Sequence, residues 1–230
     1  MDSRLSSRSE FFAGVRAELP ILIGVAPFGA IYGVLAINAG LPASVAQAMS
    51  AIIFAGSSQF IFTQMVTAGT PALVMILTVG IVNLRHVLYS ASIAPYIQHL
   101  SSFWKFILAY LLTDEAYAVA ILHFQEEKNE KSRHWFLLGA GLALWSCWQI
   151  STALGILIGS VIPESWPLDF TLALTFIALL VPSLKDRPGL AAALVSGCVA
   201  VMAYSLPYRS GLILAALCGV LAGLLVEKWK

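Results

Sequence analysis

Apolar runs of about twenty residues follow one another along the chain and predict membrane-spanning helices. A helix rises about 1.5 Å per residue, so roughly twenty residues cross a hydrocarbon core about 30 Å thick. The pattern predicts eight hydrophobic segments, at 19–38, 43–66, 71–97, 103–124, 135–162, 167–184, 189–206 and 209–226. We therefore expect an all-α, polytopic integral membrane protein whose residues 1–230 form a single transmembrane domain.

The composition agrees with this class. The chain has 230 residues, of which 59% are hydrophobic and 11% charged, which excludes an ordinary soluble domain. Its formal net charge of +1 gives no electrostatic reason to expect a nucleic-acid partner. Cys147, Cys198 and Cys218 lie far apart inside apolar segments and match neither a disulfide framework nor a metal-ligand spacing. The sequence therefore predicts no metal and no cofactor.

The distribution of Lys and Arg orients the chain in the membrane. With a cytoplasmic N-terminus and eight crossings, most of these residues face the cytoplasm, whereas only Lys105 and Arg209 face outward. Both termini are then cytoplasmic, residues 1–18 form a cytoplasmic N-terminal segment, and 125–134 form a charged cytoplasmic loop. The distribution favours an even number of crossings without fixing eight, because two early segments could be re-entrant hairpins.

Each of the first three segments contains residues that disturb a helix near mid-membrane. The disturbing residues are Pro20, Pro27-Phe28-Gly29, Ala55-Gly56-Ser57-Ser58-Gln59-Phe60 and Asn83-Leu84-Arg85-His86. We therefore expect the first three helices to be broken or kinked at these points. Irregular backbone at this depth persists only where protein buries it or where it lines a cavity, so the three points are predicted to meet at one site.

Arg85 and two acidic residues place charges near the centre of predicted helices. A charge there costs about 2.5 to 3.5 kcal/mol on insertion scales and usually has a function. Asp114 and Glu115 lie near the centre of the fourth segment, where they could neutralise Arg85, bind a substrate ammonium or carry protons. Consecutive helical positions point about 100° apart, so the two carboxylates are expected to serve different partners. A purely structural ion pair is the alternative for Arg85.

A broken helix presents unpaired N–H groups and the positive end of its dipole, both of which suit a substrate carboxylate. We therefore predict a substrate site formed by Pro27, Gly29, Ser57, Ser58, Gln59, Asn83, Arg85, His86 and Tyr89. Helical spacing puts Arg85, Tyr89 and Ser92 on one face of the third segment. For His86, an ordinary core histidine is the alternative.

The fifth segment carries large aromatic and polar side chains close together. Trp145, Trp148 and Gln149 are predicted to wall a pocket for an apolar substrate side chain. Buried Gln149 would need hydrogen-bond partners, and core packing is the alternative for the two tryptophans.

Small residues recur every four positions in two of the later segments. The residues are Gly155 and Gly159 in the fifth segment, and Ala215, Gly219 and Gly223 in the last. Small residues at this spacing allow two helices to approach closely. These faces are therefore predicted to form a scaffold or a subunit interface.

The residues at the predicted breaks also carry a resemblance to a known family. They are Pro20, Pro27-Phe28-Gly29, Phe54-Ala55-Gly56-Ser57-Ser58-Gln59-Phe60, Asn83-Leu84-Arg85-His86-Val87-Leu88-Tyr89-Ser90 and Thr113-Asp114-Glu115. With these motifs in its first four segments, the chain resembles the AzlC family, the large subunit of bacterial branched-chain amino acid exporters.

This resemblance implies a transporter rather than an enzyme. It implies export of valine, leucine, isoleucine and related neutral amino acids such as methionine across the bacterial cytoplasmic (inner) membrane. Because Asp114 or Glu115 could receive a coupling proton, we also expect this export to be ion-coupled. The resemblance also implies a partner, a small membrane subunit of the AzlD/YgaH type. One alternative is a channel that conducts small ions or solutes through the same polar path. Another is an intramembrane lipid-modifying enzyme, for which the sequence offers neither a metal spacing nor a nucleophile–base motif.

Overall fold

The computed structural model describes residues 2–126, 132–159, 184, 186–207 and 210–228. The regular structure of these residues is helical. The helices are α1 (Asp2–Asn38), α2 (Ala43–Ile53), α3 (Gly56–Thr67), α4 (Ala72–Ile97), α5 (Ser102–Leu111), α6 (Asp114–Glu126), α7 (Arg133–Gly159), α8 (Arg187–Met202) and α9 (Gly211–Glu227). The all-α prediction is therefore confirmed, while the predicted segment 167–184 lies outside the described residues apart from Leu184.

Two compact units divide the chain, which the sequence analysis treats as one transmembrane domain. The first contains Met1–Phe60 and Val82–Ile162, and the second contains Ile61–Ile81 and Pro163–Lys230. Within the described residues, three helical stretches are long and apolar enough to cross a membrane alone: Ser7–Asn38, Ala72–Ile97 and Arg133–Gly159. The shorter helices α2, α3, α5 and α6 are each too short to cross a membrane alone.

The second hydrophobic segment is broken, as predicted. Helix α2 ends at Ile53 and α3 begins at Gly56. Between them Phe54 adopts the left-handed conformation, with φ 34° and ψ 50°, which is unfavourable for a residue with a large side chain. The Phe54 side chain is buried, and its packing stabilises this conformation. The break frees the first N–H groups of α3 in the interior of the unit.

Helices α1 and α4 are continuous, so of the predicted breaks or kinks in them no complete break is found. Helix α1 runs through Pro20 and Pro27. Each proline removes only one backbone hydrogen bond, and the packing of α1 against α7 stabilises the rest of the helix. Helix α1 also begins well before the predicted residue 19. Helix α4 runs through 83–86, because the polar side chains of Asn83 and Arg85 find partners outside the helix while the backbone remains helical.

The fourth segment contains a break that the sequence analysis did not predict. Helix α5 ends at Leu111 and α6 begins at Asp114. Thr113 caps α6, since its Oγ1 accepts a hydrogen bond from the Ala116 nitrogen at 3.4 Å. The chain therefore shows the same arrangement twice. A long helix, α1 or α4, is followed by a pair of short helices, α2–α3 or α5–α6, that are separated by two residues.

Close contact with α7 fixes the position of α1. Glycines on both helices allow this approach, because a Cβ on Gly29 would lie 2.8 Å from the Ser151 Cβ and one on Gly159 would lie 2.9 Å from the Val34 Cα. The small residues Gly155 and Gly159 therefore contact α1 within the chain.

We expect Gly33→Ala to destabilise the protein because the new Cβ would overlap the Thr152 carbonyl oxygen and lie 2.7 Å from the Ile156 nitrogen. Gly24→Ala is the matched control, since Gly24 lies in the same helix with nothing within 4 Å of its added Cβ. In a helix interior alanine is favoured over glycine by about 1 kcal/mol, so the control should match or exceed the wild type. Melting temperatures in detergent would measure the difference, and equal values for the two variants would contradict the packing described.

In the second unit, α8 and α9 pack against each other. The Asp186 side chain caps α8 by accepting a hydrogen bond from the Gly189 nitrogen at 2.9 Å. A Cβ on Gly219 of α9 would lie 2.8 Å from the Ser196 Cβ of α8, and Ala215 is buried. The small-residue face of α9 is thus occupied by α8.

Candidate functional site

Arg85 joins the two helix breaks of the first unit. Its Nη1 lies 2.6 Å from Oδ2 of Asp114, the first residue of α6. Its Nη2 donates a hydrogen bond of 2.6 Å to Oγ of Ser57, in the first turn of α3. The side chains of Arg85 and Asp114 are 29% and 36% exposed, so the ion pair remains accessible from outside the packed interior.

Asp114 is bound on both of its oxygens. The Tyr89 hydroxyl donates to Oδ1 at 2.6 Å, while Arg85 holds Oδ2. The Tyr89 ring stacks on Tyr117 of α6 at 4.5 Å, and the Tyr117 and Ser92 hydroxyls are 3.0 Å apart. The face of α4 that helical spacing predicted therefore contacts α6 along its first turns.

The first turn of α3 contributes two serines to this cluster. Ser58 is buried, and its Oγ donates to Oδ1 of Asn83 at 2.7 Å. Because α3 and α6 both begin here, the positive ends of two half-helix dipoles lie beside Ser57 and Asp114. Together they provide a positive potential suited to an anionic group.

Two nitrogen atoms next to each other in sequence lack a partner. Nε of Arg85 and Nε2 of His86 are buried and make no hydrogen bond with the described residues. The His86 ring lies 6.0 Å from the Tyr89 ring. A buried polar atom without a partner is unfavourable, so these atoms are suited to bind a ligand.

Of the three residues predicted to wall a pocket, only Trp148 lies beside the α2–α3 break. Trp148 is buried, donates a hydrogen bond of 3.1 Å to Oε1 of Gln59, and lies against Gly56, where a Cβ would come within 3.0 Å of its ring. Trp145 instead donates to the Tyr110 hydroxyl of α5 at 2.7 Å. Gln149 accepts a hydrogen bond from Gln47 of α2 at 2.7 Å. Trp148 and Gln59 thus lie beside the α2–α3 break, whereas Trp145 and Gln149 are bound to α5 and α2.

Two further predicted residues lie elsewhere. Pro27 is exposed on α1, and Gly29 packs on Ser151 of α7. The structure therefore brings Ser57, Ser58, Asn83, Arg85, His86, Tyr89 and Asp114 together, and it does not bring Pro27 or Gly29 to them.

Sequence reasoning missed Thr113 and Glu18. Thr113 followed by two acidic residues is a helix-start signal, which was available inside the fourth segment. Glu18 was assigned to the polar N-terminal segment, although its side chain is buried in the first unit. Within the ranges that the structure describes, no group of three or more His, Cys, Asp or Glu side chains could hold a metal ion.

Comparisons with known proteins identify relatives of the chain. The family model described as AzlC protein matches residues 20–162, more than half of the chain. The inner membrane protein YgaZ of Escherichia coli (strain K12) is 31% identical to the chain, over 96% of the chain and 92% of that protein. An uncharacterized membrane protein of Archaeoglobus fulgidus is 36% identical, over 94% of the chain and 95% of that protein.

A further relative has a functional name. The branched-chain amino acid transport protein AzlC of Bacillus subtilis (strain 168) is 26% identical, over 79% of the chain and 72% of that protein. No solved structure matches the chain significantly. The family model and the YgaZ relative together show that this chain is a membrane protein of the AzlC family.

Proposed function

We propose that this chain is the large subunit of a secondary transporter that exports valine, leucine, isoleucine and related neutral L-amino acids, and that it is not an enzyme. The name of the Bacillus subtilis relative supports the substrate class. The structural observation that carries the proposal is Arg85, held between the first turn of α3 and the first residue of α6. We place the transporter in the bacterial inner membrane, with both termini in the cytoplasm.

The Arg85–Asp114 pair is complementary to a zwitterion. An α-amino acid has a carboxylate for Arg85 and an ammonium for Asp114. When it binds, the Arg85–Asp114 ion pair is replaced by two ion pairs with the substrate, and the net charge of the site does not change. A substrate with a charged side chain would add an uncompensated charge at membrane depth, where charges are costly. This difference explains a preference for neutral amino acids.

The surrounding groups extend recognition of the carboxylate. Nε of Arg85 is a donor without a partner among the described residues, so the guanidinium can bind a carboxylate through more than one N–H. The first turn of α3 adds its dipole, and Ser57 is already a partner of Arg85. Trp148, buried beside Gly56, is the part of the predicted apolar wall that we assign to the substrate side chain.

Counterflow in vesicles tests this function. Proteoliposomes that contain the chain with its small membrane subunit and are loaded with unlabelled valine should accumulate labelled valine above equilibrium, and the rate should saturate. Liposomes of the same lipid without the two proteins provide the background. Non-saturable flux that never exceeds equilibrium would contradict a transporter and indicate the channel alternative.

We expect the isolated chain to transport valine poorly and to need a small partner of the AzlD/YgaH type. The expectation rests on the family resemblance. The small-residue face of α9 is occupied by α8, so Gly219→Leu would disturb the chain itself and is unsuitable for mapping the partner. Purification of the chain with and without the co-expressed partner, followed by valine counterflow, measures the requirement. Full activity of the single purified chain would contradict it.

A further inference from the structure

Glu18 is an acidic side chain buried without a partner. It lies on α1 with 0% of its surface exposed, and neither carboxyl oxygen makes a hydrogen bond with a described residue. Transfer of an ionised carboxylate into such a place is strongly unfavourable unless a cation or a proton neutralises it. The group therefore needs a proton or a bound cation.

The register of α1 and α6 places Glu115 at the same level as Glu18. Oε2 of Glu10 lies 2.8 Å from Nε2 of His123, which joins α1 to α6. Glu18 follows Glu10 by eight residues, and Glu115 precedes His123 by eight residues. At about 1.5 Å per residue both intervals span about 12 Å, so the antiparallel helices bring the two glutamates to the same level. The charge of Glu115 accordingly acts on Glu18.

The neighbouring charges are already compensated. On α6, Asp114 is paired with Arg85 of α4, and His123 is paired with Glu10 of α1. Arg85 also acts on Glu115 electrostatically, but its Nη groups are bonded to Asp114 and Ser57.

Within the part of the chain that the structure describes, the other elements packed here add no charge that could neutralise the glutamates. Arg16 of α1 is exposed, and Nε2 of His86 on α4 makes no hydrogen bond with a described residue. Helix α2 contains no charged residue, and α7 contains none after His134.

We propose that Glu18 and Glu115 form a proton site separate from the Arg85–Asp114 substrate site. A proton from water on one side of the membrane binds a carboxylate oxygen of this pair, and the same O–H bond breaks when the proton leaves to the other side. Two acidic groups at one level in a buried place cannot both ionise readily, so the pair holds one proton on one of the two carboxylates. The proposal rests on the proposed function and names its coupling ion.

The location explains how proton and substrate are linked. Asp114 and Glu115 are consecutive residues in the first turn of α6, so a movement of this turn when substrate binds Asp114 also moves Glu115. Such a movement changes the distance between Glu115 and Glu18, and with it the stability of the shared proton.

The Glu18→Gln variant of the two-subunit complex in proteoliposomes tests the proposal. We expect the response of valine flux to an imposed pH gradient to fall about ten-fold relative to valine counterflow, because the amide cannot release a proton. Glu126→Gln is the control, because Glu126 is exposed at the end of α6, and it should keep the wild-type ratio. In weakly buffered detergent, a pH indicator should show proton release on addition of valine to the wild type and the control, and not to Glu18→Gln.

Three results would overturn the proton site. One is a full pH-gradient response in Glu18→Gln, and another is a response to a sodium gradient in the wild type in place of a pH response. If Glu18→Gln does not fold, Glu18→Asp is the test. Its gradient-driven flux should depend on pH differently from that of the Glu126→Asp control, and identical profiles would overturn the proposal. Absence of valine counterflow in the wild type would instead contradict the proposed function itself.

Discussion

Replacement of Arg85 by lysine should reduce valine flux about ten-fold or more although the positive charge is kept. The guanidinium bonds Asp114 and Ser57 at once and still has Nε available for a carboxylate. An ammonium is a point charge that cannot reproduce this planar arrangement. Hydrogen bonds to charged groups contribute about 1.5 to 3 kcal/mol, and a loss of 1.4 kcal/mol corresponds to about ten-fold in affinity.

Arg133→Lys serves as the matched control for this experiment. Arg133 lies at the start of α7, with its guanidinium carbon 5.5 Å from the Tyr96 ring centre, away from the cluster around Arg85. Initial rates of valine counterflow, normalised to folded protein, should remain near the wild-type value in this control. Near-normal rates in a folded Arg85→Lys protein would exclude direct recognition of the carboxylate by Arg85.

Asp114→Asn and Glu115→Gln should have different effects, although the residues are consecutive. Both oxygens of Asp114 are bound, by Arg85 and Tyr89, so its neutralisation leaves Arg85 uncompensated and removes the ammonium partner. We expect Asp114→Asn to reduce counterflow and gradient-driven flux together, about ten-fold or more. Glu115→Gln should instead keep most counterflow and lose the response to a pH gradient.

Paired assays of counterflow and gradient-driven flux separate the two variants. Asp186→Asn in the second unit is the control. Asp186 caps the N-terminus of α8, and asparagine caps a helix equally well. If Asp114→Asn keeps full counterflow, Asp114 does not bind substrate. If Glu115→Gln keeps the full pH response, Glu115 does not carry the proton.

The chemistry of the site was predictable from the sequence because charges are rare in apolar segments. Arg85 and Asp114 were identified by depth, and helical spacing placed Tyr89 on the same face as Arg85. The contact between Arg85 and Ser57 followed from the assumption that irregular points meet in the interior. In each case the cost of leaving a polar group in lipid is large enough to dominate other effects.

Helix continuity was less predictable because the relevant free energies are small. Pro27 loses one backbone bond, which the packing of α1 on α7 outweighs, and Asn83 and Arg85 have polar side chains but ordinary helical backbone. The break at Leu112-Thr113 has no glycine or proline and was indicated only by the capping threonine. Burial of Glu18 depends on the register between α1 and α6, which a single sequence does not contain.

The helices that pack against the small residues could likewise not be predicted from the sequence. Gly155 and Gly219 have the same local pattern, yet the first contacts α1 and the second contacts α8. A small residue permits close approach without specifying the helix that approaches. The subunit-interface interpretation therefore could not be separated from internal packing until the contacts were known.

Competition by valine analogues that each lack one charge tests most directly whether Arg85 and Asp114 together bind a zwitterion. Unlabelled valine should displace labelled valine from the detergent-solubilised complex. Valinol, which lacks the carboxylate, and isovalerate, which lacks the ammonium, should each compete about a hundred-fold less well, because one charge of the Arg85–Asp114 pair would have no partner on the ligand. Competition by either analogue as effective as that of valine would contradict recognition of both charges at this pair.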